Sequence, residues 1–294
     1  MTKEDHAFVS KLLESGAQVD AKDVLGRTPL MFACFSGNTS IVHTLISMGA
    51  NANTLDNKGL NPLFYAVRMP MVRNGHFDGK NSKLPPQYCY LPLDGACKSV
   101  DNYGCYGEYN PTKHFYTAMS LFTPGGKVLP STSDYSELIF AVLSGDSDLL
   151  KILVSHGCDV NKRAKIDEKG NKTTALCMAI TSGNLALADW LLSNGADPCL
   201  ADGFGQTPLA LAAWRNYISI ACRLLRYPQV KENDVCSLPK AAQAGHYEMV
   251  KLLLESGFDS HQTDDSGTTA LGWASFGRED RDIINILRSY GARY

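Results

Sequence analysis

Apolar positions along this chain recur at helical spacing, in short bursts rather than long runs. Ile41, Val42, Leu45 and Ile46 share one helical face, and Val9, Leu12 and Leu13 do the same near the N-terminus. A second kind of burst is shorter and richer in Ala: Leu209-Ala210-Leu211-Ala212-Ala213, opened by Thr207-Pro208. Proline at the start of a helix loses nothing by lacking an N–H. The longer bursts end at Gly, as at Gly49 and Gly195, which supplies a left-handed stop. Turns such as Asp23-Val24-Leu25-Gly26 and Asp264-Asp265-Ser266-Gly267 lie before the short bursts. The pattern predicts a turn, a short helix, a Gly turn and a longer amphipathic helix, many times over.

Alignment on the Thr of the Thr-Pro-Leu word gives equivalent positions Thr28, Asn61, Ser136, Thr174, Thr207, Cys236 and Thr269. The steps are 33, 75, 38, 33, 29 and 33 residues. Closing glycines recur at Gly16, Gly49, Gly157, Gly195, Gly257 and Gly291. Helix pairs are expected over 136–161, 174–195, 207–227, 236–257 and 269–291, stacked in order. One such unit cannot bury its own apolar face, but stacked neighbours bury a continuous one.

The period, the words Thr28-Pro29-Leu30 and Thr207-Pro208-Leu209, and the closing Leu-Leu-x-x-Gly-Ala words resemble the ankyrin repeat. The resemblance covers residues 4–69 and 136–294. The family's Thr-Pro-Leu-His word is never complete, because Met31 and Ala210 stand at the His position. The fold class implied is all-α, an ankyrin-repeat solenoid of stacked helix-turn-helix units with a long loop insertion. Residues 1–20 are expected as an N-terminal half-repeat, 21–69 as units 1–2 and 136–294 as units 3–7. Residues 70–135 hold a Tyr/Cys/Pro-rich insertion and the completion of the interrupted unit. His114 to Phe122 is the expected second helix of that unit, leaving 70–112 as the insertion. Residues 5–17 read as a second helix with no first helix before it. Either the chain begins with a half-repeat cap, or the sequence is a piece of something longer.

In ankyrin proteins, partners usually sit on the turns before the first helices and on the concave face those helices line. Carried onto this register, the candidate partner-binding residues are Phe35, Arg68, Met69, Phe204, Trp214, Arg215 and Phe276. Trp and Arg are enriched where interfaces carry most of their energy. The competing reading of each large side chain is packing onto a neighbouring turn. Asn161 fits a further resemblance. Leu153, Asp159, Val160 and Asn161 look like the pattern favoured by the ankyrin-directed asparaginyl hydroxylase of animal cells. Asn at such a turn also serves simply as a hydrogen-bonding residue.

Composition narrows the function. With 28 Lys and Arg against 30 Asp and Glu, the formal charge is −2, which argues against a strongly basic nucleic-acid binder. No apolar run approaches the roughly 20 residues that span a bilayer, and Met1–Ser10 lacks a secretory apolar core. Nine irregularly spaced cysteines fit a reducing compartment better than a disulfide scaffold. In the insertion, Cys89, Cys97, Cys105 and His114 form a donor set of the kind that holds zinc, but without a tight C-x-x-C pair. Metal binding is therefore not expected there. A nucleophile–base pair of Cys97 with His76 or His114 has nothing in the sequence to bring it together.

The expected function is non-catalytic protein–protein recognition by a monomer with a protein partner, without cofactor, nucleic acid or membrane insertion. The expected compartment is the cytoplasm, or the host cytosol if the chain is a secreted bacterial effector, which the irregular steps resemble. Two alternatives remain open: a targeting half of a larger enzyme or channel, and a small zinc or cysteine-based catalytic module in residues 70–112.

Overall fold

The structure, a computed structural model, describes residues 3–67, 111–122, 136–165, 171–234, 236–276 and 280–293. It divides into two units, Met1–Gly170 and Asn171–Tyr294. The described residues are helical apart from turns and two strands of two residues each, β1 (Ala164–Lys165) and β2 (Lys172–Thr173).

In the first unit, helices α2 (Pro29–Phe35), α4 (Pro62–Val67) and α6 (Glu137–Ser144) form a row of short first helices. Behind them lie α1 (Lys3–Glu14), α3 (Thr39–Ser47), α5 (Pro111–Leu121) and α7 (Ser147–Ser155). Helix α5 packs on α3, α4 and α7, so it fills the second-helix place beside α4. The Ser120 hydroxyl donates to the Tyr116 carbonyl at 2.8 Å and lies 3.0 Å from His43 Nε2 on α3. The ring of Phe122 stacks on His156 at 4.0 Å.

In the second unit the row of first helices is α8 (Ala175–Ser182), α10 (Pro208–Trp214), α13 (Ser237–Gln243) and α15 (Ala270–Phe276). Their partners are α9 (Leu185–Ser193), α11 (Ile218–Leu224), α14 (Tyr247–Glu255) and α16 (Arg281–Ser289). One element departs from the expected plan. Helix α12 (Pro228–Asn233) lies between α11 and α13 and buries Val230. The 29-residue step before Cys236 therefore holds an extra helix where the other units have a turn.

Each element follows from its residues. Side-chain oxygens of Asn61, Thr174, Thr207 and Thr269 accept the backbone N–H three positions on, at 2.9–3.1 Å, and so start first helices. At the start of α2, Met31 Sδ accepts the Thr28 N–H at 3.4 Å, a weak bond from the residue standing at the His position. Asn38, Asp146, Asn184 and Asp280 cap second helices in the same manner. The apolar faces of the second helices are buried, as with Leu149, Leu150 and Leu153 on α7 and Met249, Val250, Leu253 and Leu254 on α14. Gly49, at φ +90°, ends α3 by donating to Ile46 O while Ala50 N–H reaches Leu45 O. Burial pushes the Cys34 thiol up, and pushes those of Cys158 and Cys236 up to about 12, so these sulfurs pack as small apolar groups. Among the described residues no helix is long and apolar enough to cross a membrane.

Candidate functional site

Two kinds of surface are built by repetition: the turns before the first helices, and the C-terminal ends of those helices. The turns share a device. In Asp23–Arg27, Asp56–Leu60, Asp202–Gln206 and Asp264–Thr268, one carboxylate oxygen accepts the backbone N–H groups two and four residues on, at 2.8–3.1 Å. The Gly at the fourth position donates back to the Asp carbonyl, at 2.9–3.2 Å. An aspartate that folds the chain around itself in this way fixes the tip without using a core.

The second carboxylate oxygen ties three of these turns to what lies beneath. Tyr65 on α4 donates to Asp56 Oδ2 at 2.7 Å, and Trp273 on α15 donates to Asp264 Oδ2 at 2.6 Å. Both lie four residues after the helix-opening position. Phe32 occupies that place on α2 and has no donor. There Arg27 pairs with Asp23 Oδ2 at 2.7 Å and lies over the Phe32 ring at 4.6 Å. Burial pushes the carboxyls of Asp23 and Asp264 upward. Their hydrogen bonds outweigh it, those from Arg27 to Asp23 and from Ser266, Trp273 and Thr268 to Asp264, and both sit below the ordinary carboxylate range.

Adjacent turns are also bonded to one another. Asn57 donates its backbone N–H to Leu25 O at 3.0 Å and its side-chain N–H to Val24 O at 3.2 Å. Lys22 Nζ reaches Leu55 O at 3.1 Å. The tips carry apolar side chains into solvent: Val24 is 93% exposed, with Leu25, Leu55 and Phe204 more than a third exposed.

At the helix ends the structure separates the candidates. Trp214, the last residue of α10, is 43% exposed, and Phe276, the last of α15, is 87% exposed. Phe35, the last of α2, is half-buried, as is Arg215. Lys240 of α13 stands over the Trp214 ring at 5.8 Å, and His246 Nε2 lies 3.1 Å from the Trp214 carbonyl oxygen. Arg68 and Met69, and the metal candidates Cys89, Cys97 and Cys105, lie outside the described residues, while His114 is placed by its backbone in α5. Asn161 is half-buried in a turn, with its N–H donated to Asp159 Oδ1 at 2.9 Å. Sequence reasoning missed Phe32, which is 47% exposed, and Lys240. It also took the turns as defined by their Gly alone. The signal it passed over is an Asp five residues ahead of Thr28, Asn61, Thr207 and Thr269.

Short first helices, longer second helices and Asp-organised turns at a 33-residue period define a helical repeat protein. Residues 1–78 and 138–236 match the family model described as ankyrin repeats (3 copies), and residues 238–288 match that described as ankyrin repeats (many copies). The chain belongs to the ankyrin repeat family, whose repeats are protein-interaction modules. It is 29% identical over 306 residues to the E3 ubiquitin-protein ligase KEG of Arabidopsis thaliana, covering 96% of this chain and 18% of that protein. It is 24% identical over 238 residues to the Ankyrin repeat protein nuc-2 of Neurospora crassa, covering 77% and 20%. It is 25% identical over 258 residues to the Transient receptor potential cation channel subfamily A member 1 of Homo sapiens, covering 85% and 19%. The chain thus spans about a fifth of the length of these curated relatives.

Proposed function

We propose that this chain is a non-catalytic recognition module that grips a protein partner with its turn tips and first-helix ends. The observation that carries the reading is the exposure of Val24, Phe204, Trp214 and Phe276 on elements whose backbones are otherwise fixed by hydrogen bonds. Large apolar groups held rigidly in water favour association, because little side-chain or loop freedom is lost on binding. The test is capture of partners from a eukaryotic lysate by the full chain, in parallel with a Phe204→Ala, Trp214→Ala variant of matched thermal stability. Proteins retained by the parent and lost by the variant are the expected result. A parent that retains nothing the variant does not would overturn the reading.

A second reading concerns what the module serves. Relatives that include a ubiquitin ligase and a cation channel, each about five times the aligned length, favour recognition in service of a larger assembly. Sequencing the natural transcript tests this: an open frame continuing into a further domain supports it, and stop codons on both sides of the described repeats remove it.

A further inference from the structure

The second unit carries an aromatic–cationic surface that the recognition reading leaves without a ligand. Helices α10, α13 and α15 pack side by side in that order, so their last residues, Trp214, Gln243 and Phe276, lie at one register of successive units. Lys240 stands over Trp214, and Arg215 follows it in the chain. Neither cation enters an ion pair among the described residues, and both are half-buried. His246 is turned toward the same residue through the Trp214 carbonyl.

Among the described residues, the carboxylates of this neighbourhood are spoken for or stand apart. Asp280 approaches the turn at Gly245, but its carboxylate caps α16 by accepting the Ile283 N–H. Asp264 is saturated by Ser266, Thr268 and Trp273. Asp265 is exposed on the turn tip beside it.

We infer that the helix ends of α10, α13 and α15 hold an extended acidic peptide segment of a partner, anchored by one apolar residue on Trp214 and a second on Phe276. The inference rests on the recognition reading and narrows it to one surface and one chemistry. Neighbouring packed helices lie roughly 8–10 Å apart, which puts the two aromatic anchors about 16–20 Å from each other. An extended chain covers about 3.3 Å per residue, so the two anchor residues of the peptide are about five or six positions apart. A Glu or Asp between them meets Lys240, and one flanking the first anchor meets Arg215. Half-buried cations bind carboxylates more strongly than fully solvated ones do, because screening by water and salt is weaker there.

The test is selection from a phage-displayed library of random dodecapeptides on the immobilised full chain. Fluorescence anisotropy of the enriched peptides follows, against the parent, Trp214→Ala and Lys240→Glu. The expected peptides carry two apolar residues five or six apart with an acid between them. Their affinity should fall at least tenfold with Trp214→Ala and with Lys240→Glu, and several-fold between 50 and 300 mM salt, about half to a third of the Debye length at low salt. Replacing the peptide's central acid with Lys should restore binding to Lys240→Glu, an outcome that a misfolded variant would not give. Recovery of no peptide, of basic peptides, or of acidic ones indifferent to both substitutions would overturn the inference. The recognition reading then stands or falls separately on the lysate comparison.

Discussion

The turn Asp202–Gln206 and the connection Pro228–Cys236 precede successive first helices of the second unit, and each contains one aspartate close to the helix start. In the first, Asp202 folds the chain around its carboxylate and lifts Phe204 into solvent. Among the described residues of the second there is no such tip. Asp234, buried like Asp202, accepts the Thr207 hydroxyl at 2.5 Å and the Ser237 N–H at 3.0 Å, and receives its chain from α12. The same buried side chain therefore shapes an exposed tip in one repeat and joins two repeats in the next. Burial pushes the Asp234 carboxyl above the ordinary range despite those donors, whereas Asp23 and Asp264 lie below it. In a step four residues shorter than the usual 33, a buried polar contact between repeats stands where the neighbouring repeat has an exposed tip.

The contrast is broken most severely at its interior end. Asp234→Ala leaves the Thr207 hydroxyl and the Ser237 N–H without their partner in a dry site, and should cost about 3 kcal/mol in urea unfolding. Asp264→Ala, at a turn wetted by solvent, should cost about 1 kcal/mol. Equal losses would show that the two aspartates do the same work.

Glycine substitutions probe the tips alone. Gly26 and Gly205 have φ of +77° and +74°, but a Cβ at Gly26 would overlap Asn57 Oδ1 while one at Gly205 meets nothing within 4 Å. Gly205→Ala should cost about 1 kcal/mol from the left-handed backbone alone. Gly26→Ala should cost about 2 kcal/mol, because it also displaces Asn57 from Val24 O.

Acid separates the two aspartates by sign. A raised carboxyl takes up its proton earlier in the folded chain than in the unfolded one. Stability relative to Asp234→Asn should therefore rise as pH falls from 7 toward 4. Lowered carboxyls do the reverse: the advantage over Asp264→Asn persists above the ordinary carboxylate range and is lost as pH falls through the folded value. Parallel unfolding curves at pH 7, 5 and 4 give the first slope, and at pH 4, 3 and 2 the second.

The smallest effect is a gain. Asn216 holds φ +57° at a place where Gly37, Gly145, Gly183 and Gly245 stand in other units. Asn216→Gly should raise stability by about 0.5 kcal/mol in thermal unfolding, because glycine meets no Cβ penalty there.

The helix pairs were legible because each carries the same apolar spacing and closing Gly, so seven imperfect registers correct one another. Helix α12 was not. It occurs once, and its cue, Pro228 two residues ahead of a buried Val230, has no second copy along the chain to align it. For the surface, register assigns a position but not an exposure. Phe35 is half-buried while Phe32, three residues earlier, is exposed even with Arg27 over its ring. The contact of Lys240 with Trp214 joins neighbouring units and has no local signature.

The reach of the bonds between units has a consequence for how this chain can change over time. Asn57 to Val24 joins residues 33 apart, Arg223 to Asp189 34 apart and His246 to Trp214 32 apart. Ser120 to His43 joins residues 77 apart, across the chain between α4 and α5. Closing a loop of 77 residues in place of 33 costs only about 0.7 kcal/mol more, because the penalty grows with the logarithm of length. Helices α4 and α5 pack directly, so the stack is complete at the point where the chain leaves and returns. The position between Val67 and Pro111 is therefore a grafting port. Segments of quite different length can be exchanged there by insertion, deletion or recombination, and the cost of closing the chain changes by less than a single core substitution would cost.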